Sequence, residues 1–422
     1  MLILELNEFN LPLLKRLAES GNYVNLKRLL SFNHIGTTTG DKPDSGYLEP
    51  WVQWVSLHTG TESSVHQIKN LGDVPNLMVK QLWESWSERG HSSIIWGVMN
   101  GTRGSASLCD VFIPDPWTFT EEAYPTDFGC LLSLPRYLAT NYLDVSIIQV
   151  MRKSIDLFSG LFKVIGWRES CRSLSLLVRL LFRLRFKNIA FILFYEYASA
   201  LCFVRSVRSR SPEYSILFLN SLAHAQHHYW ADSSGDKSDE LKITASVIDK
   251  ILEKIFEAQA EIECFEDVLV INGLSQRCTV DEEPWYLYRP KNHELMIHQL
   301  GLSPEKVEPL MTYDAHLFFF NASQCEHAMK VLTSATVGGQ PLFFVEKDNQ
   351  NDKKLFYRVD FSAFAHGAEM IKAEGYVGRF FDHFELIVRR TGTHIPTGDV
   401  LTNCRDSQQV IKIENVVAQL RI

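Results

Sequence analysis

The sequence predicts an α/β protein built on a doubly wound, mostly parallel sheet with an inserted helical cap. Three observations carry that expectation. Apolar runs of strand length recur at Leu2–Leu6, 92–98, Tyr214–Leu219 and 267–271. Amphipathic helical patterns lie between them, at 11–18, 78–89 and 243–260. A buried strand followed by a covering helix, repeated, is the pattern of a parallel sheet clothed on both faces. Third, residues 131–210 break the rhythm, with helical spacing throughout and about a dozen Lys and Arg against few acids.

Taken in order, Leu2–Leu6 is the first strand, and 11–18 follows as a helix with Gly21 as its C-cap. Residues 27–30 close a second short helix. The polar stretch 37–46, with two glycines and a proline, reads as a loop. Residues 51–57 are dense in aromatic and apolar side chains, and His58-Thr59-Gly60 closes the run. The helix at 78–89 stops at Gly90, and 92–98 is a buried strand leading into the loop 100–104. The sheet resumes at Tyr214–Leu219 after the insertion. Residues 285–337 mix helix and strand, with 315–320 a strand. Residues 341–345 and 355–359 form a hairpin around a polar turn at 346–354. Residues 384–388 are the last strand, running into Thr391-Gly392-Thr393-His394. This places one α/β domain at 1–130 and 211–422, with a basic helical cap at 131–210. No internal repeat interrupts it.

The chain has 422 residues, enough for a large core, and its composition is globular. A net charge of −8 lacks the basic balance that general nucleic-acid binding requires, so no nucleic-acid partner is expected. The N-terminus shows no basic n-region or small-residue cleavage site, and no uninterrupted apolar run has membrane-spanning length. Eight scattered cysteines form no CxxC pair. Together these lead to a cytoplasmic expectation. The basic helices add a site of peripheral contact with the inner membrane or with an anionic glycan, weighed against a helical lid whose arginines are simply solvated.

The chemistry concentrates after the strands. His224, His227 and His228 arrive just past Leu219, where open α/β sheets hold ligands and metals. If the segment is helical, His224 and His228 share a face. Metal or anion binding stands against a structural polar network. His394 sits in a glycine-flanked turn that lets backbone approach a ligand closely. Asn7 and Glu8 end the first strand, where a carboxylate could complete a metal site. The competing reading is an N-cap at Asn10 with Glu8 exposed. Glu49, Gln53, Ser56 and His58 are polar residues set among packed aromatics, and burial obliges them to find partners or a ligand. Asp115, between two prolines, reads as a structural turn.

The order of these motifs resembles the alkaline phosphatase superfamily, in its type I phosphodiesterase, nucleotide pyrophosphatase and sulfatase-like branch. It looks most like a degenerate bacterial subgroup met among surface-polysaccharide genes. The family's Asp-Gly after the first strand corresponds to Asn7-Glu8. Its nucleophile falls near Pro50, its Thr-Gly turn is Thr59-Gly60, and its "HGI" element is Val65-His66-Gln67-Ile68. Its Asp-His-x-Gly-His becomes Ala223-His224-Ala225-Gln226-His227, and its Ser-Asp-His-Gly becomes Ile271-Asn272-Gly273-Leu274-Ser275. Its final Gly-x-His-x-x-x-Gly survives from Gly392 through His394 to Gly398. The resemblance implies an alkaline-phosphatase-type sheet, and it implies that His227 and His394 serve one metal.

With most acids of the two-metal set replaced, the expectation is a single divalent metal, zinc or manganese, held by His227, His394, Glu8 and Asn7. His224 or His228 would act as general acid or base, and Glu49 or Ser56 would face the substrate. The expected function is a hydrolase or transferase acting on a phosphate or sulfate ester, of a small molecule, a glycan or a glycolipid. The alternatives are a non-catalytic relative that binds an anionic glycan or membrane, and a partner of an enzyme of polysaccharide metabolism.

Overall fold

The computed structural model describes residues 1–39, 48–141, 145–235, 237–262, 266–310, 313–348, 351–403 and 410–420. Two compact units emerge: Met1–Thr140, Val145–Asp281 and Gly392–Ile422 form the first, and Glu282–Thr391 falls in the second.

The first unit is built on an eight-stranded sheet. Its strands are β1 (Leu2–Leu6), β2 (Asn33–Thr38), β3 (Ser93–Val98), β4 (Cys109–Pro114), β5 (Tyr214–Leu219) and β6 (Val268–Ile271), joined by Thr397–Thr402 and Ile411–Lys412. Across the sheet the order is Ile411–Lys412, β2, Thr397–Thr402, β6, β1, β5, β3, β4. Only Thr397–Thr402 runs against its neighbours; the other pairs are parallel. The register sets Leu6 opposite Leu219 and Glu5 opposite Ile271, so β1, β5 and β6 end at one edge.

Both faces are covered, as the doubly wound expectation requires. Leu2, Leu4 and Leu6 point into a core shared with helices Leu11–Ser20, Ile189–Arg210 and Asp239–Glu261. Ile3 points the other way, toward Trp54, Leu57, Trp83 and Trp86 of helices Pro50–Thr59 and Leu82–Glu88. Strand periodicity of two produces this division. Glu5 shares the second face, where its Oε1 lies 2.6 Å from His58 Nε2 with both side chains buried. A carboxylate so placed is tolerable because it is paired. Thr37 and Thr38, expected in a loop, belong to β2, and residues 40–46 of that loop lie outside the described residues.

The helices of 131–210 are Gly129–Thr140, Ile147–Arg183 and Ile189–Arg210, the second broken at Gly166 (φ 76°, ψ 169°). They are a layer of the first unit and not a separate cap. Leu157, Leu161, Leu180, Leu193 and Phe203 join the core that covers β1, β3 and β5. Ile189–Arg210 is long and apolar enough to cross a membrane, but 67% of its most apolar window is buried inside the protein.

The division that the sequence pattern missed lies further on. Glu282–Thr391 has its own core, centred on Tyr288, Phe343, Tyr357, Phe380 and Phe384. Its strands pair antiparallel, including the expected hairpin Phe343–Lys347 with Lys354–Val359, of whose turn residues 349–350 lie outside the described residues. Phe384–Arg390 is not the last strand of the main sheet; it pairs with Trp285–Pro290 inside this unit. Apolar strands look alike whether they enter a parallel or an antiparallel sheet, so the pattern alone could not assign them to a second core.

Candidate metal centre

At the shared edge, each of the three neighbouring strands runs into an asparagine: Asn7 after β1, Asn220 after β5 and Asn272 after β6. The backbone continues the ladder by one step, with Asn7 N donating to Leu219 O (2.9 Å) and Glu8 N donating to Asn272 O (3.0 Å). Glu8 then adopts φ 56°, in the left-handed region that a non-glycine residue enters at a cost. Asn10 caps helix Leu11–Ser20 by accepting from Leu13 N (2.7 Å). The two readings of this segment, a metal-site carboxylate at Glu8 or a cap at Asn10 with Glu8 exposed, are not exclusive: Asn10 caps the helix and Glu8 is buried (2% exposed).

Glu8 Oε2 lies 3.0 Å from His227 Nε2 and 3.0 Å from His394 Nε2, and the two nitrogens are 3.2 Å apart. Among the described residues these three form the one group of His, Cys, Asp and Glu with ligand atoms close enough for a common metal ion. His227 comes from the last turn of helix Ser221–His228. His394 comes from strand Gly392–Ile395, paired antiparallel with β7 (Ser275–Cys278), so it lies in a strand and not in a turn. His394 Nδ1 faces Leu48 O at 2.6 Å, and His227 Nδ1 faces Gly392 O at 3.4 Å. A carbonyl only accepts, so each ring carries its hydrogen on Nδ1 and turns a lone pair outward on Nε2. Two Nε2 atoms this close cannot both carry hydrogen. Two lone pairs and a carboxylate oxygen thus converge on one point, an arrangement that calls for a cation. Burial raises the Glu8 pKa, but a proton taken up at the Nε2 of His394 or His227 faces the carboxylate, and the two imidazoles in this way outweigh burial and hold the carboxyl well below the usual range.

A second layer fixes the first. Asn7 Nδ2 donates to Glu8 Oε1 (2.9 Å) and to Asn220 Oδ1 (2.8 Å), Gln276 Nε2 donates to Glu8 Oε2, and Gln226 Nε2 donates to the Glu8 carbonyl (2.7 Å). Asn272 Nδ2 donates to Phe9 O (2.8 Å). Gly392 permits the close approach of strand and helix, since a Cβ there would sit 2.5 Å from Gln226 O.

The other expected residues fare differently. Asn7 orients Glu8 rather than offering its oxygen as a ligand: its Oδ1 is taken by Trp54 Nε1 at 2.7 Å, and its Nδ2 donates to Glu8 Oε1. Ser56 is fully buried within helix Pro50–Thr59 and does not face a substrate. His66 Nδ1 accepts from Ile68 N (3.1 Å), so its Nε2 donates to Ser56 Oγ (3.1 Å) and cannot take the serine's proton. Glu49 is half-buried at the N-cap of that helix, next to the Leu48 carbonyl that anchors His394. His224 and His228 do share a helix face, with ring centroids 4.5 Å apart, and both rings neighbour Tyr229, outside the three-atom cluster. Asp115 is the expected turn residue, accepting from Trp117 N and Thr118 N.

Sequence reasoning missed the amide shell of Asn220, Gln226 and Gln276, and it missed Glu196. The repeated strand-Asn ending was a readable signal for the first; nothing local marked the last. Glu196, on helix Ile189–Arg210, accepts from the N-terminal amides of Asn220 and Ser221, at the start of the helix that bears His227. Burial pushes its carboxyl up to about 7. An unfolded glutamate ionises near 4.5, so stability is full below that pH and falls as pH rises through the folded value. The loss amounts to about 3 kcal/mol. Glu196→Gln is therefore expected to flatten the decline in melting temperature between about pH 5 and pH 8. An unchanged decline would remove Glu196 as its source.

No protein-family model matches the sequence, and neither does any curated protein. Among solved structures, the phosphonoacetate hydrolase of Sinorhizobium meliloti 1021 in complex with phosphonoformate aligns at 10% identity and a TM-score of 0.47, over 98% of this chain and 93% of that chain. Murine ectonucleotide pyrophosphatase/phosphodiesterase 5, as an inactive variant in complex with AMP, aligns at 10% identity and a TM-score of 0.48, over 100% of this chain and 93% of that chain.

Proposed function

We propose that this chain is a single-metal hydrolase or transferase acting on a phosphate or sulfate ester, and that Glu8, His227 and His394 hold the metal. One observation carries the reading: a carboxylate oxygen and two imidazole lone pairs converge within 3.2 Å, with both rings oriented by backbone carbonyls. One carboxylate and two imidazoles are the ligands of a catalytic zinc site that keeps a fourth position open. Ligand atoms on a tetrahedron with zinc-type bond lengths lie roughly 3.3 Å apart, close to the spacing here.

When bound, the metal would supply Lewis acidity toward an ester oxygen and the charge to stabilise the group transferred. The protein's own part is to keep Glu8 anionic and its two partners aligned. Asn7 and Gln276 hold the carboxylate by its two oxygens. The resemblance to the alkaline phosphatase superfamily supports the same assignment. Where the family's motif has a carboxylate at the strand end, this chain has the amide of Asn7 and offers the carboxylate of Glu8 one residue later. Of the two further histidines, His228 lies nearer the cluster, its ring centroid 6.0 Å from that of His227, and is the candidate for proton transfer; the likeness to a bacterial subgroup met among surface-polysaccharide genes favours a glycan or glycolipid ester.

A second reading, a pocket that binds an anionic glycan without turnover, is favoured by the amides. Asn7 and Asn272 stand where the family's motifs carry acids, and their side chains are engaged with protein partners, Asn7 with Asn220 and Trp54 and Asn272 with Phe9. The test is elemental mass spectrometry of the purified protein beside turnover of nitrophenyl phosphate monoester, diester and sulfate. The proposal expects about one equivalent of zinc or manganese, lost in His227→Ala/His394→Ala, and turnover of at least one ester. Metal without turnover would move the reading to the binding pocket, and no metal at all would sink both the site and the mechanism.

A further inference from the structure

We propose that the outward face of the chain from Trp167 to Lys187 is a docking surface for an anionic lipid bilayer, independently of the reading of the metal site. The helix after Gly166 has two unlike faces. Ser170, Ser173, Leu176, Leu180 and, just past its end, Leu184 are buried at intervals of three and four, so this side packs on the protein. The opposite side carries Arg168, Arg172, Arg179 and Arg183, all exposed. The turn that follows adds Arg185 and Lys187.

This stretch holds six Lys and Arg and a single acid, Glu169, in a chain whose overall charge is −8. Elsewhere, therefore, acids exceed bases by thirteen. Arg172 pairs with Glu169 and Lys187 with Glu240. Among the described residues, Arg168, Arg179, Arg183 and Arg185 have no carboxylate partner. Large apolar side chains stand among these charges: Trp167 is 66% exposed, Phe182 71% and Phe186 65%. Phe182 and Phe186 lie edge to face, with centroids 5.9 Å apart. Phe186 and Arg185 both have positive φ (60° and 51°), a conformation unfavourable for a bulky aromatic residue, and it is used here in a turn that leaves the ring in solvent.

The occupant follows from the combination. A soluble polyanion would satisfy the arginines and leave the three rings in water. A second copy of the chain would bring a face of five net positive charges against itself. The interface of an anionic bilayer takes both, with headgroup charge for the guanidinium groups and the acyl boundary for Trp and Phe.

The test is co-sedimentation of the full chain with vesicles of phosphatidylcholine and phosphatidylglycerol in equal parts, beside vesicles of phosphatidylcholine alone. Binding is expected to the first only, and to weaken as salt is added. Arg179→Glu/Arg183→Glu/Arg185→Glu is expected to lower partitioning by about a hundredfold or more. Phe182→Ser/Phe186→Ser is expected to lower it by about tenfold per ring while keeping the salt dependence. Both variants change exposed side chains, so their melting temperatures should match wild type; if the charge variant unfolds, the aromatic variant carries the test. Failure of the wild-type chain to bind the anionic vesicles, or binding that survives charge reversal, overturns the proposal. So does binding to heparin that is indifferent to the two phenylalanines, with no binding to vesicles.

Discussion

Glu8→Gln protein is expected to fold and to lose its metal, from about one equivalent to near none. The argument rests on what surrounds the carboxylate. Glu8 supplies the single negative charge among the three converging groups, and an amide oxygen is a much weaker ligand for a divalent cation. The second layer rejects the amide as well. Asn7 Nδ2 and Gln276 Nε2 each donate to a different oxygen of Glu8, so a glutamine must turn its own NH2 toward one of these donors. That mismatch in a buried site costs about 1–3 kcal/mol, enough to lower the melting temperature by several degrees. Chelator should then shift the melting temperature of wild type and leave that of the variant unchanged. A variant that keeps full metal content would show that the carboxylate is a structural anchor for the two histidines and not a ligand.

Trp54→Ala is expected to be among the most destabilising single changes, costing about 3–5 kcal/mol. The side chain is fully buried between the sheet and helix Pro50–Thr59. It meets Phe218 edge to face with centroids 5.6 Å apart, and it packs so closely on Gly273 that a Cβ there would sit 3.1 Å from the indole. Its Nε1 donates to Asn7 Oδ1 at 2.7 Å, so the indole also fixes the amide that fixes Glu8. Trp54→Phe separates the two roles. It keeps most of the buried area and loses the donor, so stability should fall less, while metal affinity should fall on the order of 10–100-fold. Denaturant titration and metal competition measured on both variants check this. Equal metal affinity in Trp54→Phe and wild type would confine Trp54 to packing.

The parts of this protein that could be read from its sequence are those in which local pattern and destination coincide. β1, β5 and β6 are continuous apolar runs because both faces of a parallel strand are buried, whereas the segment after β5, open between helix and loop in the sequence, is the helix Ser221–His228. Glu8, His227 and His394 stood out because each carries a metal-ligating group near a predicted strand end, although His394 proves to lie within a strand of its own. Asn7 was misassigned because residue type shows that an amide can coordinate, but not that an indole 47 residues away already occupies its oxygen. Ser56 was misassigned because a polar residue among aromatics does not show which way its helix turns it, and here it is turned into the core. The independence of Glu282–Thr391 stayed hidden because its antiparallel pairing is a long-range property.

The separation of the three converging groups along the chain bears on how the protein is made. Glu8 and His394 are 386 positions apart, and strand Gly392–Ile395 can pair with Ser275–Cys278 only after the intervening unit has been synthesised. At about 5–20 residues per second, on the order of twenty seconds or more separates the first ligand's appearance from the last. For all that time the nascent chain can offer Glu8 and, later, His227, but not the set of three. If the three groups hold a metal as proposed, its acquisition is an event of the nearly finished polypeptide, and a chain truncated just before strand Gly392–Ile395 would carry β1, β5 and β6 with Glu8 and His227 but without the third group.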